Sequence, residues 1–159
     1  MNYYKDMLAE GEKFQEYIKK LFFAEFAIHL DFTKKTHQLD IGETLQGIEI
    51  KYDRKYKQTG NLYIEVAEKT HPENEEYIRS GIFRKDNTWL YVIGDYQTVF
   101  LFSKKRLIKI KDSCPSVVTP TSMGFLVNDN LAKSECIKIL KIKPDLTATP
   151  LGSVITDAI

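Results

Sequence analysis

Residues 47–51, Gly47-Ile48-Glu49-Ile50-Lys51, set a carboxylate and an ammonium two positions apart. Strand side chains alternate between faces, so on a strand Glu49 and Lys51 share one face while Ile48 and Ile50 anchor the other in a core. Burying Lys beside Glu means desolvating two charges, and stability alone would favour apolar residues there. Hydrolysis of a phosphodiester supplies a reason for the pair. A carboxylate holds a hard divalent cation through oxygen, and the cation polarises a phosphoryl oxygen and acidifies a bound water. The ammonium then positions that water or offsets developing negative charge. The bland alternative is a solvent-facing ion pair on a half-exposed sheet, which contributes little.

Octahedral Mg²⁺ asks for more than one carboxylate, and two acidic residues precede the strand, Asp40 and Glu43. With Gln46-Gly47 as a two-residue turn, Thr44 opposes Glu49, Glu43 lies beside the site, and Asp40 sits roughly 10 Å further along the strand. A wider loop centred on Glu43 and Thr44 brings Asp40 opposite Glu49 instead. The two-residue turn favours Glu43.

These residues need a scaffold. Apolar positions at threes and fours predict a helix from about Tyr4 to Ala27, weakened at Gly11, and a short strand over residues 26–32. Residues 33–37 read as a loop, residues 39–53 as a hairpin, residues 52–61 as a polar connection and residues 62–66 as a third strand. Pro72 with Glu73, Glu75 and Glu76 marks the acidic start of a helix over 71–82, with Ser80-Gly81 as its cap. Two dense β-branched and aromatic runs, 88–93 and 98–102, read as a hairpin, and Ser103 as the cap of a short helix through Leu107. Trp89 and its neighbours read as core. The expected order is α-β-β-β-α-β-β-α over one domain of residues 1–143, with Phe125-Leu126-Val127 and residues 131–142 beyond it less legible. Residues 144–159 form a tail rich in Thr, Pro, Gly and Ser.

A long helix, a hairpin with an acidic residue before a Glu-x-Lys, a third strand and a helix together resemble the PD-(D/E)xK nuclease superfamily over roughly Gly11 to Ile110. The phrase Gly42-Glu43-Thr44-Leu45-Gln46-Gly47-Ile48-Glu49-Ile50-Lys51, with Gly60-Asn61-Leu62-Tyr63-Ile64-Glu65 after it, is similar to small phage-associated or mobile-element members. The resemblance implies an α/β restriction-endonuclease-like core, a mixed central sheet flanked by helices, with a C-terminal extension. It implies Mg²⁺ or Mn²⁺ as cofactor, DNA as substrate, and pairing of two copies to cut two strands. Glu49 and Lys51 take the motif's places, and Glu43 or Asp40 that of its Asp, although no Pro precedes either. Gln15 falls where the superfamily often carries a helical Glu, with Glu12 and Glu16 beside it. A decayed site would leave a nuclease-fold module that binds DNA or a protein partner without cutting.

Elsewhere the sequence is restrained. Its 23 Lys and Arg nearly balance 22 Asp and Glu, so any DNA contact must be local. Lys51, Arg54, Lys55 and Lys57, with Tyr52 and Tyr56 interleaved, can track a phosphate backbone or simply face solvent. Lys104, Lys105, Arg106, Lys109 and Lys111 pose the same choice. Glu65 and Glu68 read as a solvated strand end, with Glu65 in reach of a supporting role. Cys114 and Cys136 fit no zinc pattern and read as reduced thiols; His29, His37 and His71 are scattered, against a His-dependent hydrolase. A charged N-terminus and no bilayer-length apolar run lead us to expect a cytoplasmic protein without membrane contact. A structural role, with strands 88–102 as a dimer interface, is the remaining alternative.

Overall fold

The computed structural model describes residues 3–141. In chain order these form α1 (Tyr3–Phe26), β1 (Ile48–Tyr52), α2 (Tyr56–Thr59), β2 (Asn61–Glu68), β3 (Ile78–Arg79), β4 (Leu90–Gly94), β5 (Thr98–Ser103), α3 (Lys104–Ile110), β6 (Ser116–Val118), β7 (Ser122–Asn128), α4 (Asp129–Glu135) and β8 (Lys138–Lys141). The fold is mixed α/β, with four α-helices and two sheets among the described residues. No helix there is long and apolar enough to cross a membrane.

The helical spacing of Phe14, Ile18, Leu21 and Phe22 gives α1 one buried face, each side chain stabilising by about 2 kcal/mol. That face packs on a mixed sheet of order β1-β4-β5-β8, where β1 runs parallel to β4 and the remaining pairs are antiparallel. Ile48, Ile50, Val92 and Leu101 meet the helix. On the sheet's other face Tyr91, Ile93, Phe100 and Phe102 pack against Leu62, Ile64, Phe125 and Val127. These last four come from a second, antiparallel sheet of order β3-β2-β7-β6. Leu107 of α3 and Ala132 of α4 close this second core.

Several expectations fail for identifiable reasons. Residues 39–53 are not a hairpin: β1 takes its partner from β4, and only the single bridge Phe32–Thr44 remains of the expected strands before it. Lys35–His37 form a 3₁₀ turn where a loop was expected, and α2 occupies the polar connection. No helix spans 71–82. Apart from Ile82 this stretch buries little apolar surface, and Ile78 and Arg79 instead pair with Glu68 and Ala67 of β2. Gly81 is therefore no helix cap. At φ +51° it lies against β2, where a Cβ would stand 2.1 Å from the Glu65 carbonyl oxygen. The described order is α-β-α-β-β-β-β-α-β-β-α-β rather than the shorter one expected, and a second sheet covers the face where helices were expected.

The 88–102 hairpin does form, as β4 and β5, and Ser103 stands at the start of α3 without a side-chain capping bond. Both strands are central, and Tyr91, Phe100 and Phe102 on them are buried. Trp89 is not core: 57% exposed, it lies over Gly47 and donates from Nε1 to the Gln46 carbonyl at 2.8 Å. Val127 anchors β7, and residues 131–141 supply α4 and β8. The tail expected at 144–159 lies outside the described residues.

Candidate active site

As an edge strand bonded only to β4, β1 turns the N–H groups of Ile48 and Ile50 towards a free edge, where they need other partners. The preceding turn supplies them with side chains. Thr44 Oγ1 accepts from the Ile48 N–H and donates to the Ile48 carbonyl, both at 2.9 Å. Glu43 Oε1 accepts from the Ile50 N–H at 3.2 Å and from Gln15 Nε2 of α1 at 2.9 Å. Gly47, at φ +76°, makes the sharp turn that brings residues 43–44 alongside their own strand. A side-chain clamp, not a β-ladder, places Glu43 beside the site.

Glu49 projects from the opposite side of β1 to Ile48 and Ile50 and is 1% exposed. The parallel register sets Tyr91 directly opposite it, and the Tyr91 hydroxyl donates to Glu49 Oε2 at 3.0 Å. Lys51 Nζ stands 2.9 Å from Oε1 in an ion pair of bent hydrogen-bond geometry, and that buried oxygen has no other donor. The Lys51 side chain remains 42% accessible because it opens on a cleft of about 660 Å³.

The charges of this group govern one another. Burial pushes the Glu43 carboxyl up to about 7, and the Glu49 charge adds to the rise while Lys51 pulls against it. For Lys51, burial works against the ammonium, but Glu49 and Glu43 outweigh it and hold the group cationic well above its usual range. Burial, then the Glu49 charge, raises the Tyr91 hydroxyl, so it stays a proton donor.

Glu43, Glu49, Lys51 and Gln15 are thus brought together. Asp40 is not: it lies exposed on the turn after the 3₁₀ segment, without a side-chain bond to any of them. Glu12 is paired with Lys35 at 2.5 Å, and Glu16 is exposed. Arg54 and Lys55 line the cleft, Arg54 tied to Glu10 at 2.9 Å, whereas the exposed Lys57 is not part of that lining. In the second basic run Lys104 is engaged by the buried Asp86, and Arg106 by Glu135.

Sequence reasoning missed Tyr91, Ser80 and Ser122. Ser80 Oγ donates to Glu65 Oε1 at 2.8 Å and Ser122 Oγ to Oε2 at 3.0 Å, so Glu65 is held in place and is no loose strand end. Nothing local marks these hydroxyls, since each meets its partner through long-range pairing. The one available signal was that a buried carboxylate requires donors.

Among the described residues no group of three His, Cys, Asp or Glu side chains is set to hold a metal ion. Glu43 and Glu49 lie close enough to act on one another's charge, and the buried Glu49 Oε1 has no donor besides the Lys51 ammonium, but neither carboxylate lines the cleft. An all-oxygen set of this size fits a hard ion such as Mg²⁺, which takes one or two protein carboxylates and keeps several waters, and does not fit zinc. Neither a family model, nor a curated protein, nor a solved structure matches the chain.

Proposed function

We propose that this chain is a divalent-metal-dependent nuclease that hydrolyses DNA phosphodiester bonds, with a PD-(D/E)xK site on a divergent restriction-endonuclease-like core. The observation that carries the reading is the ion pair of Lys51, which lines the cleft, with a buried Glu49 whose Oε1 has no other donor, and with Glu43 close enough to feel both charges. Fold stability gives little reason to keep such a group. The parallel setting of β1 beside β4 and the packing of α1 on that sheet support the core assignment; the second sheet and the lost hairpin are departures from it.

Glu49 and Glu43 would hold Mg²⁺ or Mn²⁺, which supplies Lewis-acid polarisation of the phosphoryl group and acidifies water. Tyr91 fixes Glu49 through Oε2, while Oε1, ion-paired with Lys51, would be shared between the ammonium and a metal. Gln15 and the Ile50 N–H both bind Glu43 Oε1 and so orient that carboxylate; Gln15 serves here as a donor to a ligand. Lys51, kept cationic by two carboxylates, cannot take a proton from water. It can donate to a phosphate oxygen or to the attacking water and offset the charge of the transition state. Arg54 and Lys55 at the cleft offer the phosphate contacts that would position a strand.

One observation favours the second reading, a module that binds DNA or a protein partner without cutting: only two carboxylates converge, and Gln15 stands where a third would help. Cleavage of mixed plasmid and oligonucleotide DNA with Mg²⁺, Mn²⁺ or EDTA separates the two. Metal-dependent cutting lost in Lys51→Ala supports the nuclease; binding without cutting under every metal supports the module.

A further inference from the structure

The catalytic reading leaves unused a polar chain on β2 and its neighbours. Tyr63 and Glu65 share the face of β2 opposite the buried Leu62 and Ile64. Ser80 and Ser122 each donate to one Glu65 oxygen, and the Tyr63 hydroxyl lies 2.6 Å from Ser122 Oγ. With Ser122 donating to Glu65, Tyr63 donates to Ser122, so three hydroxyls orient one carboxylate. Two glycines make room for it. A Cβ at Gly81 would stand 2.1 Å from the Glu65 carbonyl oxygen, and one at Gly124 would stand 2.5 Å from the Tyr63 ring. Tyr63, Glu65 and Ser122 line the same cleft as Lys51 and Tyr91, and the Glu65 charge reaches Lys51.

A fixed carboxylate is a poor lining for a channel that only follows phosphates, because it repels them. It suits an N–H donor. A carboxylate has about four lone-pair sites, so the two serines leave acceptor capacity directed into the cleft. The N–H donors a nucleic acid can present there lie on the Watson–Crick edges of unpaired bases: the amino groups of adenine, cytosine and guanine, and the imino N–H of guanine and thymine, which in thymine stands between two carbonyl oxygens that repel a carboxylate. A cleft of about 660 Å³ is the size that encloses a small organic molecule, such as a nucleotide, not a duplex. Tyr63 adds aromatic surface for a base.

We propose that Glu65, set by Ser80, Ser122 and Tyr63, is a base-reading subsite that accepts the amino N–H of an unpaired base while the adjoining phosphate reaches Lys51. The substrate class is therefore single-stranded or locally opened DNA, and bases with amino groups are preferred to thymine. This rests on the nuclease reading for the role of Lys51, but base preference is measured separately from cutting.

The test measures affinities of the full chain for short single-stranded oligo(dA), oligo(dC) and oligo(dT), and for the oligo(dA)–oligo(dT) duplex, in Ca²⁺ buffer. One hydrogen bond to a charged acceptor predicts oligo(dA) and oligo(dC) binding about tenfold more tightly than oligo(dT) and than the duplex. Glu65→Gln should bring the ratio of oligo(dC) to oligo(dT) affinity to about one. Should that variant not fold, Ser122→Ala serves instead, since freeing one oxygen should at least halve the preference. Equal affinity for the three strands, tighter duplex binding, or a preference untouched by these variants overturns the subsite. The same strands with Mg²⁺ keep the two claims apart: preference without cutting rejects the nuclease and keeps the subsite, and cutting without preference does the reverse. A chain that binds no DNA overturns both.

Discussion

Glu43→Gln removes one charge while keeping the Oε1 that accepts from Gln15 Nε2 and the Ile50 N–H. In the folded chain the Glu43 carboxyl is pushed from 4.5 to about 7, chiefly by burial. Unfolded, it ionises near 4.5, so between these values the folded state binds more protons and stability falls as pH rises. Below 4.5 both states are protonated and the cost vanishes; above 7 both are ionised and the cost is complete, about 3 kcal/mol. Urea unfolding of wild type and variant between about pH 5 and about pH 8.5 captures about 2.5 kcal/mol of this, seen as the variant gaining on wild type. For a chain of this size that corresponds to about 5–10 °C in relative Tm. Other titrating groups are common to both proteins and drop out of the comparison. Stability profiles that stay parallel across this range would refute the claim that a half-buried, charge-strained carboxylate sits at position 43.

Other perturbations test the remaining contacts. Tyr91→Phe removes the hydroxyl donor to Glu49 Oε2, and urea unfolding should show a loss of about 2 kcal/mol together with weaker Mn²⁺ binding in a thermal-shift titration. Because Glu43 must be ionised to act as a ligand, the Mg²⁺-induced thermal shift should grow as pH rises through about 7 and flatten in Glu43→Gln. Gly81→Ala, with positive φ and a Cβ forced onto the Glu65 carbonyl, should cost about 3 kcal/mol or more, whereas Gly60→Ala, at similar φ in open space, should cost about 1 kcal/mol. Equal losses at the two glycines would remove the steric argument. Lys104→Met leaves Asp86 buried without its cation and should destabilise by about 3 kcal/mol in the same unfolding assay.

What was legible in the sequence was what local pattern determines. The spacing of Phe14, Ile18, Leu21 and Phe22 gives α1, and strand alternation puts Glu49 and Lys51 opposite Ile48 and Ile50. The dense runs around Tyr91 and Phe100 give β4 and β5. Glu43 was reached through a hairpin that does not exist; it lies beside the strand because its own carboxylate bonds the Ile50 N–H, an interaction no periodicity encodes. Acidic residues after Pro72 imitate a helix start, but without an apolar face to bury, tertiary pairing with β2 decided that segment. Tyr91, Ser80 and Ser122 depend on strand registers between residues 15 to 57 positions apart, which a local reading does not contain.

The most direct test of the central claim is metal-dependent cleavage of single-stranded and duplex DNA by the purified chain, with Glu49→Ala and Lys51→Ala beside it and EDTA as control. The proposed site predicts cutting with Mg²⁺ or Mn²⁺ that both substitutions and EDTA abolish while each variant stays folded. Cutting that survives in either folded variant, or a wild-type chain that cuts no DNA with either metal, would contradict it.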